Sequence, residues 1–288
     1  MPDLRPIGVF DSGIGGVSVL REIARRLPSE DLVYFADSAN VPYGNRPLDE
    51  IERLSLAAAD FLLRQGAKII VVACNTASAA ALTALRAAYP IPFVGMVPAI
   101  KPAVARSQTR KVGVLATAGT FRGRLYHDVV ERFADGVEVH TQVGQGLVEL
   151  VEDGNISGPA AEAAVAHYVG PLLDAGVDTL VLGCTHYPFL MPAIERVSGG
   201  RLTIVEPSPA IAAQVERVLA ERDWLHPAGG VDTHCYYTSG DPAHFATVLT
   251  RLALADGDVR GVHWQGGCWT QIVTEQGIAT EAQRTQRD

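Results

Sequence analysis

The chain has 288 residues, of which 48% are hydrophobic and 19% charged, and carries a formal net charge of −8. That length buries enough apolar surface for one large domain or two smaller ones, and the acidic balance leaves no basic footprint for nucleic acid or for an anionic membrane. No run approaches the roughly 18 continuous apolar residues of a membrane span, and Met1-Pro2-Asp3-Leu4-Arg5 is unlike a secretory signal. The expectation is a cytoplasmic protein with a small-molecule partner, and neither nucleic acid nor membrane.

In chain order, short β-type runs alternate with Ala/Leu-rich helical stretches. The expected strands are Ile7–Phe10, Leu32–Ala36, Ile69–Ala73, Phe93–Val97, Val112–Ala116, Val137–His140, Thr179–Gly183 and Leu202–Val205. Between and after them, helices are expected at Val17–Leu27, Leu48–Gln65, Ser78–Ala88, Ala99–Ser107, Gly123–Phe133, Pro159–Ala175, Met191–Ser198 and Ala210–Arg222, with Gly66 and Gly176 placed as helix C-caps. This alternation predicts an α/β fold built on mostly parallel sheets flanked by helices.

An internal repeat runs through the pattern. Ile7-Gly8-Val9-Phe10 returns as Val112-Gly113-Val114-Leu115 at an offset of 105, Cys74 and Cys184 are 110 apart, and Pro98-Ala99-Ile100 returns as Pro209-Ala210-Ile211 at an offset of 111. Prolines at 98, 102, 207 and 209 mark crossing points, since proline resists helix interiors and central strands. The chain is therefore expected to form two pseudo-symmetric α/β lobes with the active site in the cleft between them. One lobe covers residues 1–97 plus 210–268 and the other 98–209. The polar segment 269–288 is expected to be a weakly ordered tail.

Two cysteines sit directly after β-type runs: Ile69-Ile70-Val71-Val72-Ala73 leads into Cys74, and Thr179-Leu180-Val181-Leu182-Gly183 into Cys184. Asp11 follows Ile7–Phe10 in the same way. In parallel α/β sheets that position, beyond the carboxyl ends of the strands, is where ligands bind. Two thiols facing each other across a carbon atom suffice to take a proton from one face and return one to the other. Each needs thiolate character, which helix N-termini and nearby cations favour. Asn75, Thr76 and Ser78 are capping candidates for the helix after Cys74, and His186 is a proton partner for Cys184. Against this stands the inert buried cysteine, and the repetition of the placement favours function.

Asp11-Ser12-Gly13-Ile14-Gly15-Gly16 begins like a dinucleotide loop but has Ser18 at the last glycine position, and no phosphate-binding G-x-x-x-x-G-K-[ST] occurs. Its glycines are expected to bring amide N–H groups toward a small anion, with Asp11 as a plain helix N-cap the alternative. Asp37-Ser38-Ala39-Asn40-Val41-Pro42-Tyr43-Gly44 reads as a turn-rich loop, and Glu152 closes a short amphipathic segment, Leu147–Asp153. The three lysines, Lys68, Lys101 and Lys111, fall at opposite strand ends or in the crossover, which disfavours a pyridoxal phosphate Schiff base. Cys74, Cys184 and His186, or His234 and Cys235, match no usual zinc spacing. The expectation is no cofactor and no metal. The four cysteines lack C-x-x-C spacing and are expected to be reduced, with Cys235 and Cys268 structural.

Gly8–Gly16, Val41-Pro42-Tyr43-Gly44, Cys74-Asn75-Thr76-Ala77-Ser78 and Gly183-Cys184-Thr185-His186-Tyr187-Pro188 resemble the motifs of glutamate racemases, in the cofactor-independent aspartate/glutamate racemase superfamily. The resemblance runs in order from about Ile7 to about Val218. It implies a two-base mechanism with Cys74 and Cys184 as opposed acid and base, Asp11 assisting Cys74, His186 assisting Cys184 and Glu152 a further polar contributor. It also implies that Asp11, Ser12, Tyr43, Gly44, Asn75, Thr76, Thr185 and His186 contact the substrate, and that D-glutamate is made for peptidoglycan synthesis. Where the family commonly has Cys, Pro and a second Pro before the acidic residue, this chain has Gly144, Gln145 and Glu149. The chain begins almost at its first β-run, so regulation by a cell-wall precursor is not expected, whereas a homodimer is.

Three other readings remain open from the residues: an aspartate or other amino-acid racemase, a single-cysteine decarboxylase or hydrolase, and a non-catalytic acidic-ligand or protein-binding module. A single-cysteine enzyme would need only one of the two thiols. A binding module would be stabilised by its ligand without exchanging the α-proton.

Overall fold

The computed structural model describes residues 2–227, 233–252 and 257–272. It opens with β1 (Ile7–Asp11), α1 (Val17–Arg26) and β2 (Leu32–Ala36), followed by two 3₁₀ turns at Ser38–Asn40 and Tyr43–Asn45. Next come α2 (Leu48–Arg64), β3 (Ile69–Val72), α3 (Asn75–Ala88), β4 (Phe93–Gly95) and α4 (Ile100–Arg106). The second run is β5 (Lys111–Ala116), α5 (Ala118–Arg122), α6 (Arg124–Phe133), β6 (Glu138–Val143), α7 (Leu147–Glu152), α8 (Pro159–Asp174), β7 (Thr179–Gly183), a 3₁₀ turn (Tyr187–Leu190), α9 (Met191–Ser198) and β8 (Thr203–Val205). α10 (Ser208–Ala220) leads back to β9 (His234–Thr238), α11 (Pro242–Arg251), β10 (Asp258–Gln265) and β11 (Cys268–Gln271).

Among the described residues two sheets form, one of seven strands in the order β11-β10-β9-β2-β1-β3-β4 and one of four in the order β6-β5-β7-β8. Their cores repeat: β2-β1-β3-β4 has the same order as β6-β5-β7-β8, and every pairing in both is parallel. The sequence repeat is thus a repeat of topology. Gly8 in β1 and Gly113 in β5 are equivalent positions that let a helix end approach its sheet. A Cβ on Gly8 would lie 2.9 Å from Ala67 Cβ, and one on Gly113 would lie 3.1 Å from both Leu172 and Val177. β3 and β7 are buried at every residue, as expected of parallel strands covered by helices on both faces.

The helix expected over Gly123–Phe133 forms as α6, and a separate helix, α5, precedes it, because Gly123 is extended (φ −75°, ψ 139°) and breaks the chain between the two. Two local expectations need correction. No element was expected after 222, yet β9, α11 and β10 extend the first sheet by parallel pairing of β9 on β2. The tail does not begin at 269. Cys268–Gln271 pairs antiparallel with β10, and Trp269 is buried with its ring 5.7 Å from that of Phe35. Residues 273–288 lie outside the described residues.

Lys68 and Glu30 form a fully buried ion pair of 2.6 Å at the N-terminal ends of the strands, where Lys68 also donates to the carbonyls of Asp3 and Trp224. Lys101 lies over the Phe133 ring. Among the described residues, no helix is long and apolar enough to cross a membrane.

Candidate active site

One small pocket is lined by both Cys74 and Cys184. Cys74 stands at the end of β3 as the N-cap of α3, and Cys184 stands at the end of β7. Topological repetition therefore puts the two thiols at equivalent places, one from each sheet. Ser12, Tyr43, Gly44, Asn75, Thr76, Thr185 and His186 share the wall. Asp11 and Glu152 do not line it and reach it only through neighbouring side chains.

Glu152 and His186 build one side. Cys184 Sγ is 3.7 Å from His186 Nδ1, and His186 Nε2 is 2.6 Å from Glu152 Oε1. A carboxylate only accepts, so Nε2 carries the proton given to Glu152 and Nδ1 faces the sulfur. The same Glu152 Oε1 accepts the N–H of Ile14 at 2.8 Å. Burial opposes a charged His186 ring, but its hydrogen bonds to Cys184 and Glu152, and their charges, outweigh burial and hold its pKa well above the ordinary value.

The glycine loop fits around these groups. A Cβ on Gly13 would fall 1.9 Å from Glu152 Oε1, and one on Gly15 would fall 2.3 Å from His186 Nδ1. The loop does bring an amide to an anion as expected, but the anion is the protein's own Glu152 carboxylate.

The other side is built differently. Cys74 Sγ accepts the Ala77 N–H at 3.4 Å and lies 3.9 Å from Ser12 Oγ. The cap of α3 is the cysteine itself rather than Asn75, Thr76 or Ser78. Ser78 Oγ instead donates to the Val72 carbonyl and accepts from Met96 N. Burial, and then the negative charge of Asp11, push the Cys74 thiol far up, and the helix N–H opposes them only in part. The expectation that a helix start makes this thiol acidic is thus overturned by desolvation.

Asp11 is not the N-cap of α1, which is Gly16. Its carboxylate accepts the Gly13 N–H and the Thr185 hydroxyl, both at 2.9 Å, and reaches toward Cys74 only by way of Ser12. It is completely buried, and burial raises its pKa against the opposing pull of His186.

The remaining wall is polar. Thr76 Oγ1 is 2.7 Å from Thr117 Oγ1, so hydroxyls from the two sheets meet. Tyr43 donates its hydroxyl to Asp37 Oδ2 at 2.7 Å, and Asp37 also accepts from Asn40 and Ser239. What Tyr43 offers the cavity is therefore not its hydroxyl. The Asn75 side-chain amide is buried with neither Oδ1 nor Nδ2 bonded to protein. Sequence reasoning missed Pro42, Thr117 and Val148 in this wall. Thr117 follows the β-run Val112–Ala116 and was detectable by the strand-end rule, whereas nothing in the sequence marked Val148.

Among the described residues, no group of three or more His, Cys, Asp or Glu side chains is placed to hold a metal ion. Two thiols from equivalent strand ends thus share one pocket, with an imidazole and a carboxylate in series behind Cys184, an arrangement suited to acid–base chemistry on a small substrate.

The sequence model of the Asp/Glu/Hydantoin racemase family matches residues 7–215, and the chain belongs to that family. It is 50% identical over 254 residues to the glutamate racemase of Roseiflexus sp. (strain RS-1), covering 87% of this chain and 93% of that one. Its structure resembles a glutamate racemase isoform of Bacillus anthracis with a TM-score of 0.82 at 31% identity, covering 92% of this chain and 98% of that one. It also resembles Escherichia coli glutamate racemase, solved in complex with L-glutamate and the activator UDP-MurNAc-ala. That match has a TM-score of 0.80 at 31% identity and covers 91% of this chain and all of that one.

Proposed function

We propose that the chain is a glutamate racemase that interconverts L- and D-glutamate by two-base proton transfer without a cofactor, supplying D-glutamate for peptidoglycan synthesis. The observation that carries the reading is the pairing of Cys74 and Cys184 at equivalent strand ends on one cavity.

One thiolate takes the α-proton: the Cα–H bond breaks, an S–H bond forms, and the electron pair is delocalised into the substrate carboxylate. The opposite thiol gives its proton to the other face and becomes the thiolate. His186 takes the proton of Cys184 on Nδ1 while Glu152 holds Nε2. The α-proton is far less acidic than a thiol, so fixed donors in a dry cavity must stabilise the developing charge. Asn75 and Thr76 supply side-chain donors there, while the Ser12 and Thr185 hydroxyls turn toward Asp11. A buried amide without a partner costs about 1–3 kcal/mol, so the substrate's polar groups are the natural partners of Asn75. Asp11 acts on Cys74 through Ser12.

The lobes of this reading are residues 1–97 with 210–268 and residues 98–209, the first extended to Gln271 by β11. A cytoplasmic homodimer completes it.

The test is incubation of the purified protein, with no added cofactor, with L- and D-glutamate and L- and D-aspartate in deuterated water. Circular dichroism then follows racemisation, and NMR follows α-deuterium. The expected outcome is glutamate racemised from either enantiomer, with deuterium in the product. Faster turnover of aspartate would reassign the substrate, and glutamate-dependent stabilisation without α-exchange would overturn the enzyme reading.

A further inference from the structure

Tyr34 lies on β2, completely buried, and takes no part in the cavity wall. Its hydroxyl donates to the carbonyl of Gly13 at 2.6 Å. That carbonyl belongs to the same peptide unit as the Ile14 N–H, which donates to Glu152 Oε1 at 2.8 Å. A peptide unit is planar and trans, so fixing the direction of its C=O fixes the direction of its N–H. Hydrogen bonds at both ends of one peptide also polarise each other.

The chain of contacts therefore runs from the Tyr34 hydroxyl through the Gly13–Ile14 peptide to Glu152, then to His186 and to Cys184 Sγ. It starts in the seven-stranded sheet and ends on the cysteine of the other sheet. The space is closed around it: a Cβ on Gly16 would lie 2.8 Å from the Tyr34 hydroxyl, and one on Gly13 would collide with Glu152.

The ring of Tyr34 is gripped by the C-terminal return of the chain, 6.1 Å from the ring of Tyr236 on β9 and 6.3 Å from that of Phe245 on α11. The neighbour of Phe245, His244, places Nε2 3.0 Å from the Glu152 carbonyl, an atom that only accepts, so the imidazole donates. Arg251, at the end of the same helix, donates to the carbonyl of Asp153. The return segment thus holds both ends of the relay. Burial, then the charges of Asp11 and Glu152, keep the phenol protonated and so always a donor.

We propose that Tyr34 is a positioning residue for Cys184: through the Gly13–Ile14 peptide it sets the Glu152 carboxylate, and with it the His186 ring that serves the thiol. This rests on the two-base reading above, but the alkylation ratio that tests it does not depend on turnover.

Tyr34→Phe removes only the oxygen. One lost neutral hydrogen bond is worth about 1 kcal/mol, or about fivefold in rate. The expected result is a fall of about fivefold in kcat with KM within about twofold, and a like fall in the rate at which iodoacetamide alkylates Cys184 relative to Cys74 in the same protein. In a Glu152→Gln background, Tyr34→Phe should have no further effect on that ratio, because the relay is already broken. Additive losses in the double variant, or an unchanged Cys184-to-Cys74 ratio in folded Tyr34→Phe, would overturn the proposal. Replacement of Tyr34 by 3-fluorotyrosine keeps the ring's shape and strengthens the donor. Its alkylation ratio should equal or exceed the parent's, and a lower ratio also overturns the proposal. Absence of glutamate racemisation in the parent would instead defeat the function assigned above, leaving the alkylation result to stand alone.

Discussion

Cys74 and Cys184 occupy the same place in two sheets of the same strand order, yet their surroundings differ in kind. Behind Cys184 stand an imidazole and a carboxylate in hydrogen-bonded series. Around Cys74 stand a serine hydroxyl and a helix N–H, which favour its thiolate, and the charge of Asp11, which together with burial outweighs them and favours the thiol. Repeated topology thus delivers matched positions for two thiols, while the loops that follow each strand decide their chemistry.

The largest effect that separates this arrangement from a one-cysteine enzyme comes from removing either thiol. Cys74→Ala and Cys184→Ala should each reduce racemisation by about four orders of magnitude or more in both directions, the upper range for a lost acid–base group. Measured by circular dichroism from either enantiomer, full activity in either variant would sink the two-base mechanism.

His186→Asn should lower kcat/KM by about a hundredfold. Because the two enantiomers are equal in free energy, kcat/KM must fall equally in both directions whatever the variant. The inequality of the two sides therefore shows in kcat and KM taken separately. His186→Asn and Asp11→Asn should move the ratio of the two kcat values in opposite senses, since one serves Cys184 and the other Cys74. Shifts in the same sense would break the distinction between the sides.

A third change sharpens it by steric means. Ala at position 13 would put a methyl 1.9 Å from Glu152 Oε1. That atom is the far end of a flexible side chain, so the carboxylate moves rather than the backbone. Gly13→Ala should keep the fold and lower kcat by about tenfold, the low end of an acid–base contribution. It should also lower the pKa of His186, read from its ring carbon or nitrogen NMR shifts, because a displaced Glu152 no longer supports the imidazolium. An unmoved His186 titration would detach Glu152 from the relay.

How much of this was legible in the sequence divides along the same line. Strand-end cysteines, the repeat and the order of α/β elements follow from local patterning, and all survive folding. The relay depends on which loops meet. Glu152 is 138 residues from the Ile14 N–H it accepts and 34 from His186, and no spacing rule connects them. The high pKa of Cys74 was misread because helix N-termini are visible in sequence and desolvation is not. β9, α11 and β10 were missed because their half-buried, polar-interrupted strands lack the continuous apolar runs of β3 and β7. Their contribution is nonetheless direct, through the rings of Tyr236 and Phe245 that pack Tyr34.

The smallest expected effect is on stability, and it contrasts Asp11 with His186 through pH. Both have folded-state pKa values raised above their unfolded ones. In each case the folded state binds the proton more tightly, so the stabilisation is complete below the unfolded pKa and is lost as pH rises through the folded pKa. For His186 that window opens near its ordinary value of about 6.5 and extends upward, so the stabilisation from its pair falls as pH rises from there. For Asp11 the window opens near about 4, and at neutral pH a desolvated carboxylate is already a burden on the fold. Asp11→Asn keeps the shape and an acceptor for Gly13 N–H, and should raise stability at pH 7 by about 1 kcal/mol while lowering activity, with the gain shrinking toward pH 4. Denaturant unfolding of parent and variant at both pH values measures it. A variant less stable than its parent at pH 7 would mean that the Thr185 and Gly13 hydrogen bonds outweigh burial. Asp11 would then count as structural support of the site, no longer as a strained charge kept for Cys74.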